Sequence, residues 1–149
     1  MSEIPVFYFD VYHAVQTHKW IIEKSGGLDG IYPDGEGRLE SALAHIQNDL
    51  YYPTFEEKLA HLVYSINKLH AFCDGNKRSS LVLGAYFLEI NGYDYCIRKF
   101  VLEMENIVVW LAESKISKEL LLKMVTSIIE NEDEFSESLK YELFCAISE

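Results

Sequence analysis

One short run in the chain combines residue types that suit chemistry better than packing: His70-Ala71-Phe72-Cys73-Asp74-Gly75-Asn76-Lys77-Arg78. It lies between two apolar-periodic segments, residues 54–69 and 76–90, and so reads as a short loop that opens a helix. The first turn of a helix has unpaired N–H groups and the positive end of the macrodipole, and it attracts phosphate. Asn76, Lys77 and Arg78 add side-chain donors and positive charge there. Asp74 supplies a carboxylate suited to a hard cation such as Mg2+, which can bridge phosphates. His70, at the close of the preceding helix, is the best general-base candidate in the chain. Together these are the parts needed to attack a nucleotide phosphate.

Each of these residues also has an ordinary reading. Phe72 reads as a core anchor that turns its neighbours inward. Cys73 next to His70 lacks the third group that would orient a nucleophile pair. Asp74 can serve as an N-cap, and Lys77 and Arg78 can be solvated charges. The fixed spacing of the whole set is what favours a site.

The elements that must position this run can be read from periodicity and caps. Asp10 is a candidate N-cap for a helix over about 11–24, with Val11, Ala14, Val15, Ile21 and Ile22 recurring at helical spacing and Gly26-Gly27 ending it. His13 and His18 on that helix read as surface or packing histidines. Residues 26–37, with five glycines, read as a long loop with at most one short hairpin, and a helix follows from Gly37 to about Asn48. Thr54-Phe55-Glu56-Glu57 is a capping box. The helix it starts puts Phe55, Leu59, Leu62, Val63, Ile66 and Leu69 on one side, with His61 structural. Residues 81–88 are apolar nearly all round, as in a buried helix, and Gly84 and Ala85 would admit a close neighbour. Asn91-Gly92 is a stop. Further amphipathic helices are expected over about 99–113, 118–130 (capped by Ser117) and 138–147. The chain thus reads as one all-α domain, residues 1–149, bundled around a central buried helix, with the motif loop at the mouth of a pocket.

Composition bounds the rest. The chain has 149 residues, 49% of them hydrophobic and 25% charged, with a formal net charge of −11. That acidity argues against general nucleic-acid binding, which needs a basic footprint. No apolar run approaches the roughly 18 residues of a membrane span. Three cysteines at unrelated spacings, with no secretory pattern at the start, point to reduced thiols and a cytoplasmic setting.

The motif resembles the signature of the Fic/Doc superfamily, His-x-Phe-x-(Asp/Glu)-(Gly/Ala)-Asn-(Gly/Lys)-Arg. Lys77, where most Fic proteins have glycine, is similar to the Doc (death-on-curing) branch. The Gly-Gly-Leu at 26–28 and the Gly-Arg-Leu-Glu-Ser-Ala from Gly37 extend the likeness over about 26–92. The resemblance implies ATP and Mg2+, with His70 deprotonating a hydroxyl on a target protein and Asp74 holding the metal. It places the phosphates on Asn76 and Arg78, with Gly75 allowing close approach. Lys77, as in Doc, goes with transfer of the γ-phosphate, and Leu81, standing where Fic proteins carry a second arginine, points the same way. The implied protein is a toxin kinase acting on a Ser or Thr hydroxyl, with a translation factor such as elongation factor Tu as target and an antitoxin partner. Two alternatives stand beside it: an AMP transferase of the same fold, and a catalytically idle binding module. The stretch 126–131 also fits the family's inhibitory-helix pattern and would make Glu130 a regulator, although the arginine such a glutamate pairs with is absent.

Overall fold

A computed structural model describes residues 4–148. The described residues form seven α-helices: α1 (Val11–Ser25), α2 (Gly35–His45), α3 (Phe55–Lys68), α4 (Asn76–Ile90), α5 (Ile97–Ala112), α6 (Lys118–Ile129) and α7 (Glu137–Ile147). A single 3-10 turn, Asp94–Cys96, leads into α5. The fold is all-α, as the periodicity predicts.

Helix starts follow the chemistry of their caps. The Asp10 carboxylate accepts from the His13 N–H at 2.9 Å. Thr54 and Glu57 form the reciprocal box, with Thr54 Oγ1 accepting from the Glu57 N–H at 3.1 Å. Ser117 accepts from the Leu120 N–H at 3.0 Å. Helix α2 starts at Gly35 and not at Gly37, and it ends at His45. Gly35 is buried there because a Cβ would stand 2.4 Å from the Ala71 carbonyl oxygen.

Helices α3 and α4 share the centre. Helix α4 packs against α3, α5 and α1, and α3 also meets α2 and α6. Along 81–88 no residue is exposed, and Leu83, Phe87 and Leu88 are fully buried. At Gly84 a Cβ would lie 2.9 Å from the Phe100 ring and 3.0 Å from Val63, so the missing side chain is what lets α5 and α3 approach. One apolar cluster runs from Phe9 through Phe72 and Phe100 to Leu139, joining every helix to one core. Asn91 ends α4 and ties it to the N-terminal segment, since its amide accepts from the Phe7 N–H at 2.8 Å and donates to the Phe7 carbonyl at 3.0 Å. No helix among the described residues is long and apolar enough to cross a membrane.

The glycine-rich stretch after α1 is a loop, within the sequence reading of at most one short hairpin. No strand or hairpin forms among the described residues. Instead Ile31 makes an isolated antiparallel bridge to Phe72, across the turn between α3 and α4. The Tyr32 N–H donates to the Ala71 carbonyl at 2.9 Å, and the Cys73 N–H donates to the Gly30 carbonyl at 3.0 Å. The extended backbone of the motif thus finds its partner in the loop, which leaves the loop nothing to pair with itself.

Candidate active site

The site is the turn from α3 into α4. Helix α3 closes at Lys68, and His70 follows with φ +49°, in the left-handed region that is uncommon for a residue with a Cβ. Its side chain is exposed. Two groups fix its backbone neighbourhood: Arg38 of α2 donates to the His70 carbonyl at 3.4 Å, and Tyr32 holds Ala71. The ring is therefore presented to solvent from a backbone held on both sides.

Phe72 is fully buried, in the anchor role read from the sequence. Cys73 points outward and is a free thiol, as are Cys96 and Cys145. Asp74 is half-exposed with both carboxylate oxygens engaged. Oδ2 accepts from the Leu28 N–H at 3.1 Å, and Oδ1 accepts from the Gly75 N–H at 2.8 Å. The Leu28 N–H, and after it the Gly75 N–H, hold the Asp74 carboxyl below the usual carboxylate range, with the Arg78 guanidinium adding in the same direction from 3.9 Å.

Gly75 caps α4 in the left-handed conformation, φ +79°. A Cβ there would stand 3.2 Å from Ile22 and 3.4 Å from both Arg78 and His18, and it is the backbone conformation that calls for glycine. The amide N–H groups of Asn76, Lys77 and Arg78 have no partner among the described residues, and no side chain caps them. Lys77 is exposed, and its ammonium likewise has no partner among them. Arg78 reaches back to the end of α1, where Nη1 donates to Ser25 Oγ and, at 2.8 Å, to the Gly26 carbonyl.

The Asn76 side chain holds the backbone of the motif itself. Its side-chain amide embraces Phe72, with Oδ1 accepting from the Phe72 N–H at 3.2 Å and Nδ2 donating to the Phe72 carbonyl at 3.0 Å. In this arrangement the side chain shapes the loop, and the backbone N–H is the group left for an anion. Glu130 is not brought to the site. It caps the end of α6, next to Ile129, whose carbonyl accepts from the Tyr95 hydroxyl at 2.7 Å. Tyr95 lies beyond the C-terminal end of α4, whereas the motif forms the N-terminal end, about 22 Å away along a helix of 15 residues. Three surface grooves, of about 620 Å3 beside Ser114 and Glu142, about 430 Å3 between Tyr8–Val11 and α2, and about 190 Å3 beside Tyr52 and Lys118, are lined by no residue of the motif.

One participant escaped the sequence reading. His18 of α1 is buried at 1% exposure, with its ring stacked on Phe72 and Nε2 2.6 Å from the Asp74 carbonyl oxygen. A signal was available: His18 stands four residues after Ala14, three before Ile21 and four before Ile22, inside the apolar stripe of α1. Leu28 acts through its main chain, which no residue type announces.

The all-α bundle gathers an unpaired helix N-terminus, an ionised carboxylate and a histidine into one turn, groups whose chemistry can receive an anion. The chain belongs to the Fic/DOC family, whose model matches residues 8–88, more than half of its length and the whole of the site. Over 60 residues it is 40% identical to the toxin Doc of Mycolicibacterium smegmatis, a match that covers 38% of this chain and 46% of that protein. The α5–α7 segment lies outside the family match yet packs into the same core.

Proposed function

We propose that the protein is a Doc-like toxin kinase that moves the γ-phosphate of ATP to a Ser or Thr hydroxyl of a target protein. The name of the Mycolicibacterium smegmatis relative supports the toxin reading, and with it an antitoxin partner. The observation that carries the choice of phosphate is at the start of α4: Lys77 stands there exposed and without a partner among the described residues, while position 81, where an AMP-transferring site would carry its second arginine, is a half-buried leucine.

The residues divide the work by position. The free N–H groups of Asn76, Lys77 and Arg78 bind phosphate oxygens, and Lys77 adds its charge to the terminal one. His70 accepts the proton of the incoming hydroxyl, whose oxygen bonds to the γ-phosphorus. The bond from that phosphorus to the bridging oxygen breaks, and its electron pair leaves with ADP. The donor set suits Mg2+ held jointly with a nucleotide. Asp74 is an ionised carboxylate with lone pairs to spare, and no cluster of three acidic, His or Cys groups among the described residues could hold a metal alone. Asp74 would hold that ion, which would neutralise phosphate charge.

The test is incubation with candidate targets, elongation factor Tu among them, and ATP labelled at either the α- or the γ-phosphate. The proposal expects γ-label on the target and ADP in solution. Label from the α-position, with pyrophosphate released, would make the protein an AMP transferase instead.

A further inference from the structure

We propose that His18 is the positioning residue of this site, aiming the Asp74 carboxylate through the Asp74–Gly75 peptide. The ligand in this inference is the one proposed above, magnesium-bound ATP; the geometry stands without it.

A buried imidazole must satisfy its polar edge, and the Asp74 carbonyl can only accept. Nε2 therefore carries the proton and donates across 2.6 Å. Nδ1 lies 3.9 Å from Asp29 Oδ1, beyond hydrogen-bond reach. The same ring lies flat on Phe72, with centroids 3.8 Å apart and planes 4° apart. One side chain thus fixes the residues on both sides of Cys73, Phe72 by its face and Asp74 by its edge.

An aliphatic residue at position 18 would bury as much apolar surface. It would not supply the donor, and that bond has a consequence at the carboxylate. The Asp74 C=O and the Gly75 N–H belong to one planar unit, so fixing the oxygen fixes the N–H at its other end. That N–H donates to Asp74 Oδ1 at 2.8 Å. His18 orients the peptide, the peptide orients the carboxylate, and Leu28 completes the hold at Oδ2.

Two variants separate positioning from packing. His18→Phe keeps a stacked ring and loses the donor; His18→Gln loses the ring and keeps an N–H that can reach. In nucleotide-free protein, His18→Phe is expected to shift the Gly75 and Leu28 amide resonances and speed their hydrogen exchange, while His18→Gln holds them near wild type. Unmoved amides in a folded His18→Phe protein overturn the inference, whether or not the protein binds ATP. In equilibrium dialysis, His18→Phe should weaken ATP binding about 10-fold or more with Mg2+ present and leave it unchanged without the ion, as for other groups that orient a metal ligand. Equal losses in both conditions overturn the inference. A wild-type protein that binds no ATP overturns the phosphoryl-transfer reading, and the amide measurement alone then decides the role of His18.

Discussion

His70 and Asp74 are set four residues apart in one turn, but they are held by different means and should fail differently when changed. His70 offers an exposed ring with no bond to give up, so His70→Ala should leave ATP affinity close to wild type. The transfer step should slow by about 10²–10⁴-fold, the usual contribution of a general base. Asp74→Ala removes the ionised carboxylate and should weaken binding of ATP with Mg2+, which dialysis would register as a raised Kd. A His70→Ala protein that transfers label at the wild-type rate would remove His70 from the chemistry. Position 77 is tested by a pair of changes. Lys77→Gly alone should reduce γ-label transfer, because the terminal phosphate loses its charge partner. Lys77→Gly with Leu81→Arg restores both features of the AMP-transferring pattern and should bring α-label onto the target. Leu81 packs against the core edge, and a buried unpaired arginine costs several kcal/mol, so a melting curve of the double variant comes first.

At the scale of elements, caps and stripes carried most of the architecture. Asp10, Thr54 and Ser117 each start a helix by accepting an N–H from the first turn, a local interaction that needs no knowledge of the fold. Thr54→Ala should therefore cost about 1 kcal/mol, roughly 3 °C in the thermal midpoint for a chain of this size, measurable by calorimetry. What could not be read locally are the contacts between distant segments. The pairing of Ile31 with Phe72 joins residues about forty positions apart, a choice set by tertiary packing that no local pattern announces. Position 35, where α2 opens, is glycine because the Ala71 carbonyl leaves no room for a side chain. The hold of the Asn76 amide on both polar groups of Phe72 is another contact that residue types alone do not announce. Glu130 matched a pattern whose meaning depends on where α6 ends, and α6 ends at the far side of the bundle.

At the scale of the molecule, the junction of α3 with α6 carries its own pH dependence, remote from the motif turn. Burial, then Lys118 and His45, pushes the His61 pKa down to about 4 from 6.5. Lys118 donates to His61 Nδ1 at 2.7 Å, so the neutral ring is the form that the junction accepts. A depressed histidine favours the folded state fully above pH 6.5. As the pH falls from 6.5 toward about 4, the unfolded chain takes up a proton that the folded chain refuses, and stability drops across that window. His61→Gln should flatten this limb in melts recorded between pH 7 and 4. A limb unchanged in the variant would mean that other groups produce it. Because a single core joins α1–α4 to α5–α7, the loss should appear as one shifting transition.

The left-handed backbone at His70 has a consequence for the balance between activity and robustness. A side chain at φ +49° strains the chain by about 1–2 kcal/mol relative to glycine, while glycine loses only about 0.5–1 kcal/mol more backbone entropy on folding. His70→Gly should therefore melt at the same temperature as the wild type or above it, whereas His70→Ala keeps the strain and gains nothing. A protein made sturdier by losing His70 would show that evolution tolerates a weak point in the scaffold at the residue proposed as the base. Inactive forms would then be easy for the lineage to reach and hard to notice from folding alone.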